Sequence, residues 1–272
     1  MKTLVLANQK GGVGKSALAT QLAHYLNRQG RRVVVVDLDH QQNTSRPLRE
    51  NPSVTVASFT ATDLLSGTPS LGLSAAGIAL VPGHDDLTQL ERRREDHNAF
   101  ATNLRQALTA WTADVCIVDT NPNPDIRYTS ALISADYLLA PIQLSQEALE
   151  GIHGLINHPR HGISRIKATL NPGLRFLGIL PNLVEPTPFQ RSNLQDLAAR
   201  FGNRLLSRRD ETGAVAFGYI PKRSAIAEAQ AAAVFLPDLP KTAARDAWRE
   251  VKPVFDMILA GMDFKPAKAG QS

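Results

Sequence analysis

The chain has 272 residues, 43% of them hydrophobic and 20% charged, a length and balance that suit one large α/β domain with a substantial core. A single cysteine, Cys116, excludes an intrachain disulfide and a thiolate metal cluster and suits a reducing compartment. No apolar run is long enough to span a bilayer, and the first residues enter a strand pattern without a secretion signal, so a cytoplasmic location is expected. The net charge of +5 is uneven. Residues 1–150 carry 13 basic and 15 acidic side chains, and residues 151–272 carry 17 and 10. A basic surface on the later elements suits a polyanion such as DNA, and equally an ordinary solvated face.

The apolar run Leu4-Val5-Leu6-Ala7 predicts a strand, and Leu18, Leu22, Ala23 and Leu26 predict a helix. Between them lies Lys10-Gly11-Gly12-Val13-Gly14-Lys15-Ser16, followed by Ala17. Strand, glycine loop and helix together form the context of a phosphate cradle. Its glycines let backbone N–H groups close on an anion at the positive end of the helix. Lys15 is placed for the β- and γ-phosphates and the Ser16 hydroxyl for Mg²⁺.

The first helix is expected to end at Gly30, a left-handed cap position. The continuous run Val33–Val36 predicts a strand covered on both faces, hence a parallel sheet. That strand closes in Asp37 and Asp39, which either face the ligand crevice at its carboxyl end or cap the turn that follows. A short helix around 62–67 and a strand at Ile78–Val81 come next. The charged run Glu91–Asp96 reads as the wet side of a helix.

Val115–Asp119 is an apolar strand ending in a carboxylate, placed to hold Mg²⁺ through water. Cys116 reads as a buried small hydrophobe. Residues 131–135 read as helix, and Tyr137–Ile142 and Phe176–Leu180 as further strands. His153, His158 and His161 fall in what reads as a surface loop, with spacing too irregular for a metal site. A helix over Gln190–Phe201 precedes Arg204, Arg208 and Arg209, and Phe217–Ile220 is expected as the last strand. In the final segment Val251, Val254, Phe255, Ile258, Leu259 and Met262 share one helical face.

The fold expected from this order is a doubly wound, mostly parallel twisted sheet with helices on both faces. One P-loop domain is expected over residues 1–264, with a disordered tail at 265–272.

With Gln9 where an ordinary phosphate loop has its first glycine, the loop resembles the deviant Walker A motif, KGGxGK[ST], of the ParA/MinD family of ATPases. The resemblance runs from Lys2 to about Met262. It implies ATP and Mg²⁺ as ligands, bound by residues 10–17. Lys10 becomes the signature lysine that crosses a nucleotide-sandwich homodimer to the partner's phosphates. The segment from Asp37 to Asn43 is similar to the family's DxDPQxN, with His40 for proline and Gln42 where glycine is common. By that likeness Asp39 orients the attacking water, Lys10 and Lys15 stabilise the transferred phosphoryl group, and Asp37 supports the Mg²⁺ shell with Ser16, Asp39 and Asp119.

Asp119-Thr120-Asn121-Pro122 resembles the family's D-x-P-P switch, with Asn121 for the first proline. Residues 145–151 resemble its S-x-E-A-L-E-G stretch. Asn182 takes the place of an adenine-recognising asparagine. Pro221-Lys222-Arg223 resembles the I-P-R loop that packs on adenine and lends basic residues to DNA, although Lys222 and Arg223 also read as ordinary solvated charges. The implied activity is that of a partition ATPase of the ParA/Soj type, nucleoid-associated. Its ATP-bound dimer binds DNA non-specifically and is released by hydrolysis that a ParB-like partner stimulates. The alternative is a MinD-like membrane-positioning ATPase. Its C-terminal helix needs a basic polar face, whereas here Lys252 stands against Asp256 and Asp263. Iron–sulfur members of the wider class need cysteine pairs that this chain lacks.

Overall fold

The computed structural model describes residues 1–72 and 77–264, with the backbone alone at 146–150. The expected tail at 265–272 and the side chains of most of the 145–151 stretch lie outside the described residues. Seven parallel strands form the sheet, in the spatial order β3-β4-β2-β5-β1-β6-β7. They are β1 (Lys2–Leu6), β2 (Val33–Asp37), β3 (Val54–Val56), β4 (Ile78–Val81), β5 (Val115–Asp119), β6 (Tyr137–Ile142) and β7 (Arg175–Pro181). The helices are α1 (Lys15–Arg28), α2 (Ser45–Glu50), α3 (Leu87–Leu90), α4 (His97–Ala110), α5 (Ile126–Ser134), α6 (Gln146–Asn157), α7 (Ile163–Thr169), α8 (Pro188–Phe201), α9 (Ser224–Ala231) and α10 (Thr242–Gly261).

Alternation along the strands sorts the core into two layers. Val5, Val34, Val36, Cys116, Val118 and Leu138 pack with α4, α5 and α7 on one face. Leu4, Leu6, Val33, Val35, Ile117 and Leu139 pack with α1 and α10 on the other. Continuous apolar strands such as Val33–Val36 are the consequence: neither face meets water. Gly30 ends α1 as expected, at φ 75°, and its N–H reaches Asn27 O at 2.8 Å. Cys116 is fully buried, and burial pushes its thiol pKa up. No described helix is long and apolar enough to cross a membrane. The apolar face of α10 is used up against the sheet, with Val251, Val254, Phe255, Ile258 and Leu259 buried.

Four expectations need correction. Glu91–Asp96 is an exposed turn and 3₁₀ segment joining α3 to α4, not a helix face. His153 belongs to α6, while His158 and His161 stack in the turn beyond it, ring centroids 5.1 Å apart. Helix α5 begins at Ile126, earlier than 131, because Asp125 caps it by accepting the Arg127 N–H at 2.9 Å. The segment 217–220 does not join the sheet. Leu205 and Leu206 already occupy the β7 edge, with Leu206 N donating to Ile179 O at 2.9 Å. The chain therefore folds back as an antiparallel ribbon of β8 (Ser207–Arg209) and β9 (Val215–Phe217).

The ribbon leaves the sheet at Gly178, where φ is 138° and an added Cβ would lie 2.4 Å from Leu206 N. Gly178→Ala should cost about 2–4 kcal/mol, from overpacking and backbone strain together, read as a lower urea midpoint. His24 on α1 is 8% exposed beside Phe235, and burial lowers its pKa from 6.5 to about 4. The folded chain therefore resists a proton that the unfolded chain accepts. Stability should fall as pH drops from about 6.5 towards 4, by up to about 3 kcal/mol. Urea midpoints of His24→Leu over that range should lack this part of the decline.

Candidate functional site

Parallel strands deliver their carboxyl ends to one rim, and the glycine loop leaves β1 there. Gly12 and Gly14 take φ of 74° and 81°. At Gly14 a Cβ would meet the Asn182 side-chain nitrogen at 2.5 Å, so both backbone freedom and space restrict that position to glycine. The loop is pinned from three strands. Asn8 Nδ2 donates to Pro141 O at 2.6 Å while its Oδ1 accepts the Lys10 N–H at 3.0 Å. Gln143 Nε2 donates to Gly12 O at 2.8 Å, and Asn182 Nδ2 to Val13 O at 2.8 Å. Helix α1 starts with no side-chain cap and no acid in its first turn, which leaves its N–H groups and positive end facing the loop.

Lys15 is 7% exposed, with Nζ 3.5 Å from Asn8 O. Burial lowers its pKa, against the opposing pull of Asp119 and Asp39. Ser16 Oγ and Thr44 Oγ1 both donate to Asp119 Oδ2, each at 2.7 Å, and Asp119 Oδ1 is buried without a hydrogen-bond partner among the described residues. Asp37 is the register partner of Asp119 on the neighbouring strand. Its Oδ1 accepts the Asp39 N–H, and its Oδ2 accepts the Ser45 N–H and hydroxyl at 2.9 and 2.6 Å. Burial raises the pKa of both carboxyls; Asp119 pushes Asp37 further up, while Lys15 pulls Asp119 back down.

Asp39, 6% exposed, takes the Gln41 N–H on Oδ1. His40 Nδ1 stands 3.4 Å from that oxygen. Gln42, where glycine is common in the resembled motif, adopts the left-handed region at φ 58°.

These groups converge on a cleft of about 540 Å³ lined by Gly11 to Ala17, Asp39, Gln41, Asn43, Pro122 and Gln230. Lys10 is exposed just ahead of the loop and outside this cleft's lining, beside a neighbouring pocket with Asn8, Gln9 and Ile152, and its Nζ is 3.3 Å from Ser145 Oγ. The donor set fits a phosphate-bound divalent cation. It offers a hydroxyl at Ser16, an orphaned carboxylate oxygen at Asp119, and two carboxyls whose repulsion a cation relieves. Asp37 has both oxygens committed to the 39–45 loop, so it shapes that loop from beneath. Among the described residues no three acidic, histidine or cysteine side chains gather to hold a metal by themselves.

Pro221 lies away from this cleft, paired with Val184. The slot between Gly14, Asn182, Leu183 and Ile220 holds about 30 Å³, room for a water rather than a ring. Lys222 and Arg223 are ion-paired, with Glu185 and Glu250, each at 2.6 Å. Thr44, Gln143 and Gln230 were missed in the sequence. The first sits one residue past a recognised motif, and the other two arrive from distant elements.

A glycine loop carried from a central parallel strand onto a helix, with carboxylates delivered beside it from two adjacent strands, defines a P-loop ATPase. Residues 1–176 match the AAA domain family AAA_31. Protein IncC of Escherichia coli is 32% identical over 276 residues, 97% of this chain and 70% of IncC. The chromosome-partitioning ATPase Soj of Thermus thermophilus is 34% identical over 208 residues, 75% of this chain and 79% of Soj. Among solved structures, cobyrinic acid a,c-diamide synthase of Mycobacterium smegmatis, with a bound ATP analogue and magnesium, superposes with a TM-score of 0.68. It is 26% identical, and the match covers 95% of this chain and 94% of that one. The chain belongs to the ParA/Soj family of partitioning ATPases.

Thr44→Val keeps the shape and removes one of the two donors to Asp119 Oδ2. Leaving that buried acceptor short of a bond should lower stability by about 1–3 kcal/mol, with the ordinary circular dichroism spectrum retained.

Proposed function

We propose that the chain is a DNA-partition ATPase that uses ATP and Mg²⁺ to switch between monomer and dimer. The observation that carries this reading is the division of labour between two lysines on one loop. Lys15 is buried within the loop, and Lys10 is exposed at the loop's start. One suits phosphates held in the same subunit; the other suits phosphates presented by a second copy. In this reading residues 10–17 wrap the triphosphate. Ser16 ligates Mg²⁺, and Asp119 and Asp39 hold its water shell, with Asp37 in support. Asp39 also orients the water for in-line attack, while Lys10 and Lys15 stabilise the developing charge.

Asn182 receives the adenine, its Oδ1 offered to the purine amino group, and the Ile220–Pro221 backbone packs on the ring. The small slot between them has to widen for this.

The dimer binds DNA without sequence preference through phosphate contacts, so binding weakens steeply with salt. Lys222 and Arg223 contribute once their glutamate pairs open. Hydrolysis is slow until a ParB-like partner completes the site, and ADP releases DNA. The protein is then cytoplasmic and nucleoid-associated. The buried apolar face of α10 argues against a membrane-binding role.

Binding of a random-sequence duplex, followed with ADP, ATP and a non-hydrolysable analogue, tests the switch. Tight binding is expected only with the triphosphates and is expected to be lost in Lys10→Ala. Equal affinity with ADP and ATP overturns the switch, and ATP-dependent binding retained by the variant removes Lys10 from the dimer.

A further inference from the structure

The β8–β9 ribbon stands outside the main sheet, and its stem is fixed. Leu206 bonds to Ile179 on β7, and Gly218 N donates to Leu206 O at 2.9 Å. Leading into it and along its first strand are Arg200, Arg204, Arg208 and Arg209, all exposed. None forms an ion pair with a carboxylate among the described residues. Several later basic groups are paired: Lys222, Arg223, Lys241, Arg249 and Lys252 each stand 2.6–2.8 Å from an acidic oxygen. The carboxylate next in sequence, Asp210, is spent on the ribbon's own turn. It accepts from Thr212 N at 2.9 Å, Thr212 Oγ1 at 2.6 Å and Ala214 N at 2.9 Å. Four exposed guanidinium groups therefore line the approach to the ribbon and its first strand, with Asp210 and Glu211 confined to the ribbon's turn.

We propose that this ribbon is the surface that grips the phosphodiester backbone of duplex DNA, ahead of Lys222 and Arg223. The proposal rests on the DNA-binding reading above and names the element that performs it. Strand alternation sends Arg208 and Arg209 to opposite faces of the ribbon. A two-stranded ribbon fits the major groove, about 12 Å wide, where its long arginine side chains reach the flanking phosphates. Arg204 and Arg200 follow at its base. Guanidinium forks match phosphate oxygens in pairs. Tyr219 and Ile220 then run directly from the ribbon to the Pro221 loop beside the nucleotide end of the sheet.

The test is fluorescence anisotropy with a random-sequence duplex and ATP over a series of salt concentrations. The triple change Arg204→Gln, Arg208→Gln and Arg209→Gln should weaken binding by roughly tenfold or more. It should also reduce the slope of log affinity against log salt by about 2–3, near 0.9 for each lost phosphate contact. Lysine at the same three positions should restore most of the slope. A charge-matched control, Arg93→Gln, Arg94→Gln and Arg105→Gln, should leave the slope unaltered. Thermal melts check folding. If the triple variant melts early, Arg208→Gln alone should still reduce the slope by about 1. Wild type that fails to bind duplex with ATP refutes the DNA-binding reading itself. Wild type that binds while the triple glutamine variant keeps affinity and slope refutes the ribbon only. So does an equal loss in the control, which assigns the effect to net charge.

Discussion

The constraint on which the site depends is the burial of Asp37 and Asp119 side by side on adjacent parallel strands. Two carboxyls at 0% exposure and in register cannot both ionise in an apolar sheet without compensation. Nature of the surroundings decides their fates. Asp37 is saturated by the Asp39 N–H and by both donors of Ser45, and so becomes a fixed point of the 37–45 loop. Asp119 receives two hydroxyls on one oxygen and nothing on the other, with Lys15 as its nearest opposing charge. One carboxyl is spent on structure, and its neighbour keeps one oxygen without a hydrogen-bond donor among the described residues.

The same loop carries an internal strain. Gln42 holds a left-handed conformation that glycine adopts without cost. Its neighbours help to hold it: Gln42 N donates to Asp39 O at 3.1 Å, and Arg49 reaches the Gln42 side-chain oxygen at 2.9 Å. The loop therefore keeps the path that a glycine would allow, with an arginine on α2 helping to clamp it. The His40 ring, in place of a proline, lies against Asp39 instead of fixing the backbone. Side-chain contacts here replace the backbone restrictions of the resembled motif.

Much of this was legible before the structure because the physics is local. Val33–Val36 can hardly be other than a covered strand, and a lysine-bearing glycine loop between strand and helix specifies a phosphate cradle through spacing alone. What escaped was set by long-range competition. β3 is three residues long and takes its place only because β4 offers an edge. Segment 217–220 has strand composition, yet its intended edge is filled by Leu205 and Leu206. Glu91–Asp96 has the charge density of an exposed helix face but is held as a turn, where Glu91 Oε2 accepts the Ile126 N–H. Thr44 is a plain threonine until Asp119 comes up beside it from 75 residues away.

β7 touches both the glycine loop and the ribbon stem. At its carboxyl end Asn182 holds the glycine loop through Val13, and within the strand Gly178 and Ile179 hold the ribbon stem. A parallel strand buried over its last four residues is stiff along its length, because every shift must break ladder hydrogen bonds with β6. The softer connection is the return path, where Ile220 donates to Pro181 O and Val184 donates to Ile220 O. These two bonds tie the last residue of β7 and Val184 to Ile220, the residue before Pro221, and the ribbon's second strand feeds towards them. The stretch from β9 to Pro221 is thus held against the end of β7 by backbone bonds.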